Sequence, residues 1–283
     1  MLSLVPLEPV DYLVIGHVTE DLTPTGRRLG GTASYAALTA RRFGLRVGII
    51  TSVSETTSLE ALNGITILRV PSSKSTIFEN LQTSNGRRQL LRSQASPITL
   101  EGLPAIWRRA TIVHLAPVDQ ELPADCPEYF STSLLGITPQ GWMRKWDDAG
   151  QVAPCRWETA GQLLPKAGAV VFSREDVNAD EVAIEAMSHQ TRVLAVTEGA
   201  AGSVLYWNGD RRRFRAPDMD TVDEVGAGDV FAAAFFIRLH ATRDPWEAAR
   251  FATVLAAQSV TRPGLEGIPT AEEIEACGVE VLN

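Results

Sequence analysis

A glycine turn followed by a carboxylate offers the clearest chemistry in this sequence. Gly226-Ala227-Gly228-Asp229 runs directly into the apolar stretch 230–239, which predicts a tight turn that opens a helix. The two glycines leave room for an anion beside the backbone N–H groups, and the start of a helix adds unpaired N–H groups and the positive end of its dipole. Because Asp229 would repel a stored anion, the pattern favours a site where a carboxylate takes a proton from a hydroxyl that attacks a phosphate.

Plainer interpretations of the same residues stay open. Gly-x-Gly before a helix is common as a simple tight turn, and an early Asp is common as a partner of the helix dipole. A dinucleotide-binding turn fits poorly, because Phe231 stands where the third glycine should be. Phe231, Ala234 and Phe235 recur at helical spacing, which predicts one buried side for the helix.

Length, charge and cysteine content restrict the function classes. The 283 residues suit one large domain, 1–283, and the 45% hydrophobic content can fill its core. A net charge of −8 argues against a nucleic-acid-binding surface, and no charge-free run approaches the roughly 20 residues of a membrane span. The short, acidic start at 1–11 does not resemble a signal peptide, and three widely separated cysteines predict free thiols in a cytoplasmic protein.

Strands and helices alternate along most of the chain. Short apolar stretches typical of buried strands lie at 10–16, 46–51, 65–70, 111–115, 133–137, 169–172 and 192–197. Gly30-Gly31 precedes a predicted helix over 32–43, and Asp244 and Thr270 are predicted N-caps of two C-terminal helices. The alternation predicts an α/β fold with a mostly parallel sheet.

The middle of the chain has a different pattern. Residues 76–82 and 87–92 mix polar and apolar side chains and flank Asn85-Gly86, which is a strong hairpin signal. We expect a small antiparallel flap from 17–30 and 74–93, although an edge hairpin without a function is an equal alternative. Such edge strands could also pair two copies in a homodimer.

Taken in order, these pieces resemble the PfkB carbohydrate-kinase family, which has the ribokinase-like fold. Residues 223–229 resemble its C-terminal signature, Gly30-Gly31 its N-terminal signature, and Thr197-x-Gly199-x-x-Gly202 its nucleotide-side loop. The resemblance covers nearly the whole chain. Gly16-His17-Val18, the flap residues 75–80 and residues 140–144 are further similar to inositol-kinase-like members.

The resemblance implies a three-layer α/β/α sandwich with a small β-flap as a lid, and an ATP-dependent kinase that uses Mg²⁺. Asp229 would be the general base for a hydroxyl of a sugar or polyol, and Gly226, Ala227 and Gly228 would hold charge on the transferred phosphoryl group. The resemblance also implies further roles. The acceptor would be faced by Asp21, Gly30, Gly31 and Tyr35. The nucleotide would be bound by Thr197, Gly199, Gly202, Asp223 and Ala256, and the metal would be affected indirectly by Asp176. A monovalent-cation requirement is left open.

Three positions depart from the family pattern. The Asn-x-x-Glu motif linked to Mg²⁺ aligns with Ser173-Arg174-Glu175-Asp176, Glu224 replaces a usual Thr, and Tyr35 stands where many sugar kinases have Asn. These departures keep two alternatives open, namely a non-catalytic nucleotide- or polyol-binding regulatory protein and a nucleoside kinase.

Other candidate residues are weighed against ordinary structural roles. His17 follows a strand-end glycine and faces either the substrate or an ordinary loop, whereas His114 on an apolar strand is favoured as a core histidine. Arg144 could reach a phosphate or the substrate, although a position on a helix surface is favoured. No His/Cys/Asp group has the spacing of a zinc site.

Overall fold

The computed structural model describes residues 7–24, 26–83 and 86–278. The strands are β1 (Tyr12–Ile15), β2 (Thr19–Thr23), β3 (Gly26–Gly30), β4 (Val47–Val53), β5 (Thr66–Pro71), β6 (Thr76–Thr83), β7 (Gly86–Ser93), β8 (Ile112–Leu115), β9 (Leu134–Ile137), β10 (Arg144–Trp146), β11 (Val152–Pro154), β12 (Ala169–Ser173), β13 (Val193–Thr197), β14 (Ser203–Trp207) and β15 (Asp210–Phe214). The α-helices are α1 (Thr32–Arg42), α2 (Ala160–Leu163), α3 (Glu181–Ser188), α4 (Ala227–Thr242), α5 (Pro245–Ser259) and α6 (Ala271–Ala276).

The central sheet has nine strands in the order β15-β14-β13-β12-β9-β8-β1-β4-β5. Its pairs are parallel from β13 to β5, and the hairpin of β14 and β15 adds an antiparallel edge. Because successive side chains of a strand point to opposite faces, Tyr12 and Val14 join one core while Leu13 and Ile15 join the other. Helices α1, α4 and α5 cover the first face, and α2 and α3 lie on the second. The predicted three-layer α/β sandwich is confirmed.

Helix α4 is buried on almost every side. Residues 230–237 are all buried, so the expectation of one buried side was wrong. The helix packs against α1, α5 and strands β8, β9 and β12. Small alanines at 232–234 allow this close approach. A helix that is apolar all round belongs in the centre of a layer, which is the position α4 takes.

The predicted helix caps are present. The Asp244 carboxylate accepts hydrogen bonds from the N–H groups of Trp246 and Glu247, and Thr270 forms a capping box with Glu273. Such caps satisfy N–H groups that a helix start leaves without an intrahelical partner. The Asp244 cap fixes the start of α5, whose C-terminal half faces the candidate site, and the Thr270 capping box fixes the start of α6.

A second sheet of four strands has the order β3-β2-β6-β7. Strands β2 and β6 pair in parallel, and the outer pairs are antiparallel. Residues 84 and 85 of the predicted Asn-Gly turn lie outside the described residues, while Gly86 pairs with Thr83. We call this four-stranded sheet the lid sheet.

The hairpin of β10 and β11 was not predicted. Its strands have three residues each, too few for a period-two pattern to be recognised, and an isolated bridge between Leu90 and Gln151 joins it to the lid sheet. Arg144 is the first residue of β10, so its expected place on a helix surface was wrong.

Two chain-wide expectations can be compared with the structure. Within the described ranges, no helix combines the length and apolarity needed to cross a bilayer. Cys126, Cys155 and Cys277 are free thiols, as predicted, and two of them are buried.

Candidate active site

A cavity of about 840 Å³ lies between the central sheet, the lid sheet and the start of α4. Ser173 and Thr197 reach it from the carboxyl ends of β12 and β13, and Asp21 and Asn80 reach it from the lid sheet. In open α/β sheets this edge is the usual place for a ligand. Residues 224–229 also line this cavity.

The turn before α4 has the geometry that the glycines predicted. Gly226 is the N-cap with φ of 86°, in the left-handed region, and a Cβ built on it would lie 2.1 Å from Cε1 of Tyr35. Only glycine fits there without strain. The N–H of Ala227 donates to the Glu224 carbonyl at 3.3 Å, so this N–H is already engaged in the turn. Position 228 faces open space, which leaves room for a ligand beside it.

Asp229 lies in the first turn of α4 and lines the cavity. Burial raises the pKa of its carboxyl group to about 6; a hydrogen bond from Thr32 and the charge of Arg144 act in the opposite direction, while Asp176 and Asp21 raise it further. A carboxylate with a pKa near neutrality can both exist in the ionised form and take up a proton, which is what a general base requires.

Asp21, Gly31 and Tyr35, which the resemblance assigns to the acceptor, line part of the cavity, and we call this part the acceptor half. Gly30 does not line it; it lies behind Asp21, because a Cβ there would be 2.4 Å from Oδ2 of that residue. From the lid sheet, Gln89 donates an Nε2–H to Oδ1 of Asn80 over 3.1 Å.

Neutral polar groups dominate this half, with Thr19, Asn80 and Gln89 on its walls. Apolar surface comes from Phe78 and Val118. A pocket of hydroxyl and amide groups beside one carboxylate, Asp21, suits a ligand rich in hydroxyl groups.

Thr197, Gly199, Gly202 and Ala256, which the resemblance assigns to the nucleotide, line another part of the cavity, and we call this part the donor half. Small or apolar residues continue this wall: Ala216, Pro217, Met219, Ala257 and Val260. We call this largely apolar stretch of the lining the groove around Ala256.

Asp223, by contrast, is not among the residues that line the cavity. Its Oδ1 accepts from the N–H of Val225 and its Oδ2 from the N–H of Gly264, both over 3.0 Å. Arg28 lies 3.6 Å from the same carboxylate. Asp223 therefore holds the glycine turn in place, and the structure gives it no contact with the nucleotide side.

Asp176 lies at the cavity wall close enough to Asp229 to raise the pKa of that carboxyl group. Its Oδ2 accepts from the N–H of Ser173 at 2.9 Å, and its Oδ1 accepts from Nε2 of Gln140 at 3.2 Å. The serine that replaces the family's Asn closes a capping box with Asp176, so the altered motif is still a well-formed turn.

A buried group of charged residues was missed by sequence reasoning. His17 lies in the loop between β1 and β2, but it is fully buried and does not line the cavity, which contradicts the substrate-facing interpretation. Its Nδ1 lies 3.0 Å from Oδ1 of Asp119. Glu121 completes this group, and the three side chains are close enough to hold a metal ion. The available signal was that His17 follows β1 and Asp119 follows β8, which are neighbours in the parallel sheet.

His114 is a core histidine, as favoured. Its Nδ1 and Nε2 lie 2.8 Å from the Tyr12 hydroxyl and 2.9 Å from the Thr138 hydroxyl. Burial lowers its pKa to about 3, so the ring is neutral at physiological pH.

Comparisons with known proteins agree with this geometry. The model of the pfkB family carbohydrate kinases matches residues 165–271, a segment that includes the glycine turn and Asp229. The resemblance to the PfkB family is confirmed. An ATP-dependent ribose-1-phosphate kinase of Halopiger xanaduensis is 30% identical over 119 residues, which are 41% of this chain and 40% of that protein. Ribokinase of Bacillus subtilis is 38% identical over 93 residues, or 32% of this chain and 31% of that one. The chain thus aligns with less than half the length of these curated relatives.

Solved structures extend the similarity of fold to almost the whole chain. A pyrophosphate-dependent kinase in the ribokinase family, complexed with a pyrophosphate analogue and myo-inositol, has a TM-score of 0.76 at 20% identity and covers 94% of this chain and 99% of its own. A ribokinase from Thermotoga maritima has a TM-score of 0.71 at 20% identity, with 95% and 99% covered. Such identities show a shared fold, which is ribokinase-like.

Proposed function

We propose that this protein is a kinase that transfers the γ-phosphoryl group of ATP to a hydroxyl of a sugar or polyol. The observation that carries the proposal is the half-buried Asp229, with a pKa of about 6, at a helix start that lines the same cavity as the acceptor-side and donor-side residues. A base placed there can reach a hydroxyl in the acceptor half while the phosphoryl group lies against the helix N-terminus.

The chain's own groups supply each part of the reaction. Asp229 takes the proton of the attacking hydroxyl, and the N–H groups at the start of α4 stabilise charge on the phosphoryl group. Phosphoryl transfer depends mainly on positioning and electrostatics, so these groups provide the two main contributions that a protein can make. Arg144, whose charge acts on Asp229, keeps the carboxyl group closer to its ionised form.

Mg²⁺ fits the donor half through carboxylate oxygens. Asp176 and Glu175 both line the cavity near the proposed phosphate position, and Mg²⁺ typically binds one or two carboxylates together with substrate phosphates. Bound there, the ion would neutralise charge on the phosphate oxygens. Asp176 is proposed as the main protein contact, because its two oxygens accept from neutral N–H groups and keep further lone pairs.

ATP is favoured over pyrophosphate as the donor because of the groove around Ala256. Small residues of α5, Thr253, Ala256 and Ala257, leave a space that pyrophosphate would not fill. Among the structural neighbours are both a pyrophosphate-dependent kinase and an Arabidopsis thaliana ribokinase complexed with ribose and ATP. The donor is therefore a variable that the test must include.

The test is a screen for phosphoryl transfer with Mg²⁺, using ATP and pyrophosphate as alternative donors. Inositols, pentoses, hexoses and nucleosides serve as acceptors, and a phosphorylated product is detected by mass spectrometry. The proposal predicts product with ATP and a sugar or polyol. Product only with nucleosides, or only with pyrophosphate, would contradict it, and ATP binding without any product would favour a regulatory protein. Cytoplasmic location and self-pairing through the lid sheet stay predictions.

A further inference from the structure

The side chain of His17 lies where the chain passes between the central sheet and the lid sheet. It is in the three-residue connection Gly16-His17-Val18 that leads from β1 to β2. Its Nδ1 lies 2.8 Å from Oγ1 of Thr76, the first residue of β6, and its Nε2 lies 3.0 Å from the carbonyl of Ser96, shortly after β7 ends. One ring thus contacts the chain at the entry to β6 and after the exit from β7.

The hydrogen bonds around the ring decide where its protons are. The Ser96 carbonyl can only accept, so Nε2 carries a proton. The Thr76 hydroxyl donates its single proton to Oδ2 of Asp119 over 2.8 Å and accepts from the N–H of Ala95, so towards Nδ1 it can only accept. Nδ1 therefore carries a proton as well, and the ring is an imidazolium ion.

Asp119 depends on that charge. Its Oδ1 is buried and makes no other hydrogen bond among the described residues, and the Nδ1 of His17 is 3.0 Å away. Both side chains are completely buried. A buried carboxylate oxygen without a partner is costly, so the imidazolium and the carboxylate hold each other in place.

Glu121 fixes the same junction through the backbone. Its carboxylate accepts from the N–H groups of His17, Val118 and Asp119 over 2.9–3.0 Å. The side chains of His17, Asp119 and Glu121 lie close enough to hold a metal ion, but both ring nitrogens and the carboxylate oxygens already have protein partners. The arrangement is an ionic clamp between the two sheets.

We propose that the buried ion pair of His17 and Asp119 clamps the base of the lid sheet to the central sheet and thereby positions the acceptor-facing residues Thr19 and Asp21. Thr19 is two residues from His17, and both it and Asp21 are on β2. His17 is a positioning residue, since it acts through the lid and does not line the cavity. The acceptor part of the inference rests on the proposed function, whereas the clamp itself does not.

The stabilisation that the clamp provides depends on pH. Burial alone would lower the pKa of His17, but the hydrogen bond to Asp119 and the charges of Glu121 and Asp119 outweigh burial and raise the pKa above 6.5. Thr76 and Ser96, which also lie against the ring, are uncharged. The ion pair therefore contributes its full stabilisation at a pH below the pKa that His17 has in the unfolded protein. This contribution is lost as pH rises through the higher pKa that His17 has in the folded protein. Burial and the charge of Asp119 raise the pKa of Glu121 to about 7, so this carboxyl group titrates in the same range and also loses stabilisation as pH rises. We therefore expect the lid base to loosen on the alkaline side.

Hydrogen–deuterium exchange on the full chain without any ligand tests the clamp. Between about pH 6 and about pH 9, after correction for intrinsic exchange rates, protection of peptides from 19–23, 76–83 and 86–93 should fall in the wild type. Peptides from 169–173 and 193–197 in the central sheet serve as the internal control. Lid protection that is independent of pH, or that changes only together with the control peptides, would overturn the proposal.

Two variants distinguish the effect of the ion-pair charge from the effect of the shape of the side chains at positions 17 and 119. Asp119→Asn can donate to a neutral Nδ1 and still accept from Thr76, so its lid protection should depend on pH less than that of the wild type. His17→Gln can still donate to Ser96 but leaves Asp119 unpaired, so its lid exchange should be about tenfold faster than in the wild type. An Asp119→Asn lid that keeps the wild-type pH dependence would contradict the clamp, even if His17→Gln fails to fold.

Two further measurements complete the test. In NMR spectra, the ring proton resonance of His17 can be assigned by its loss in the folded His17→Gln variant or by elimination among the four histidines. This resonance should titrate with a midpoint above pH 6.5, and a lower midpoint would contradict the clamp. With an acceptor from the screen, His17→Gln should raise the acceptor KM and leave the ATP KM unchanged within about twofold. An equal rise in both would contradict the positioning role. If the phosphoryl-transfer screen finds no acceptor, the hydrogen–deuterium exchange experiment still tests the clamp, because it needs no ligand.

Discussion

The ring of Tyr35 occupies the space that a side chain at Gly226 would need. A Cβ at that position would be 2.1 Å from Cε1 and 2.3 Å from Cδ1 of the ring. Tyr35 is almost fully buried and comes from α1, whereas Gly226 opens α4. The contact therefore ties α4, which bears Asp229, to α1, which follows Gly30 and Gly31.

Gly226→Ala should destabilise the protein by about 2–5 kcal/mol. The left-handed backbone at φ of 86° costs a non-glycine residue about 1–2 kcal/mol, and displacement of the Tyr35 ring adds an overpacking cost of about 1–3 kcal/mol. Urea unfolding measures the difference. The matched control is Gly228→Ala, whose Cβ would face open space, so its stability should stay close to wild type. If Gly226→Ala were as stable as that control, the contact with Tyr35 would not constrain the turn.

The pH dependence of turnover should report the carboxyl group of Asp229. Since the base must be ionised and its pKa is about 6, kcat/KM should fall about tenfold per pH unit below that value. Arg144→Gln removes a positive charge that lowers the pKa of Asp229, so the acid limb of the pH profile should move to higher pH. Arg144→Lys keeps the positive charge, so the acid limb should stay close to its wild-type position. An acid limb that stays unchanged in Arg144→Gln would show that the guanidinium does not act on Asp229.

The groove around Ala256 should bind the base of ATP. Ala256→Phe would fill it and should weaken ATP binding at least about tenfold, because the base would lose its apolar contacts. Tripolyphosphate has no base, so its affinity should not change, and Ala256→Ser is a control of nearly wild-type size. Calorimetric titration gives both affinities. Equal weakening of ATP and tripolyphosphate would place the nucleotide elsewhere.

Local patterns were sufficient for much of the fold. The apolar strands, the glycine turn before α4 and the caps Asp244 and Thr270 depend on residues near each other in the chain, and all are present. The three-residue strands β10 and β11 were missed because their position depends on packing against the lid sheet through Leu90 and Gln151. The burial of α4 on nearly all sides likewise follows from its neighbours rather than from its own period.

The site was predictable where a motif is contiguous and not where it is assembled in space. Asp229 and Gly226 lie in one signature and line the cavity. Asp223 belongs to the same signature, yet its carboxylate caps backbone N–H groups, one of them 41 residues away, and does not face the cavity. The clamp of His17 and Asp119 joins residues 102 positions apart (17 and 119), so no spacing rule could reveal it.

The most direct test of the account is the Asp229→Asn variant. Asparagine keeps the shape but cannot accept the proton, so kcat should fall at least about 10²–10⁴-fold while ATP binding is retained. In the folded protein the carboxyl group has a pKa of about 6 against an ordinary 3.8, so its ionisation costs stability as pH rises through that interval, and the variant should be more stable at neutral pH by up to about 3 kcal/mol.

We would measure kcat, ATP affinity and urea unfolding of wild type and Asp229→Asn on the same preparation at neutral pH. The account predicts lost turnover, retained ATP binding and unchanged or increased stability. A variant that turns over within about tenfold of the wild type would contradict the role of Asp229 as the base.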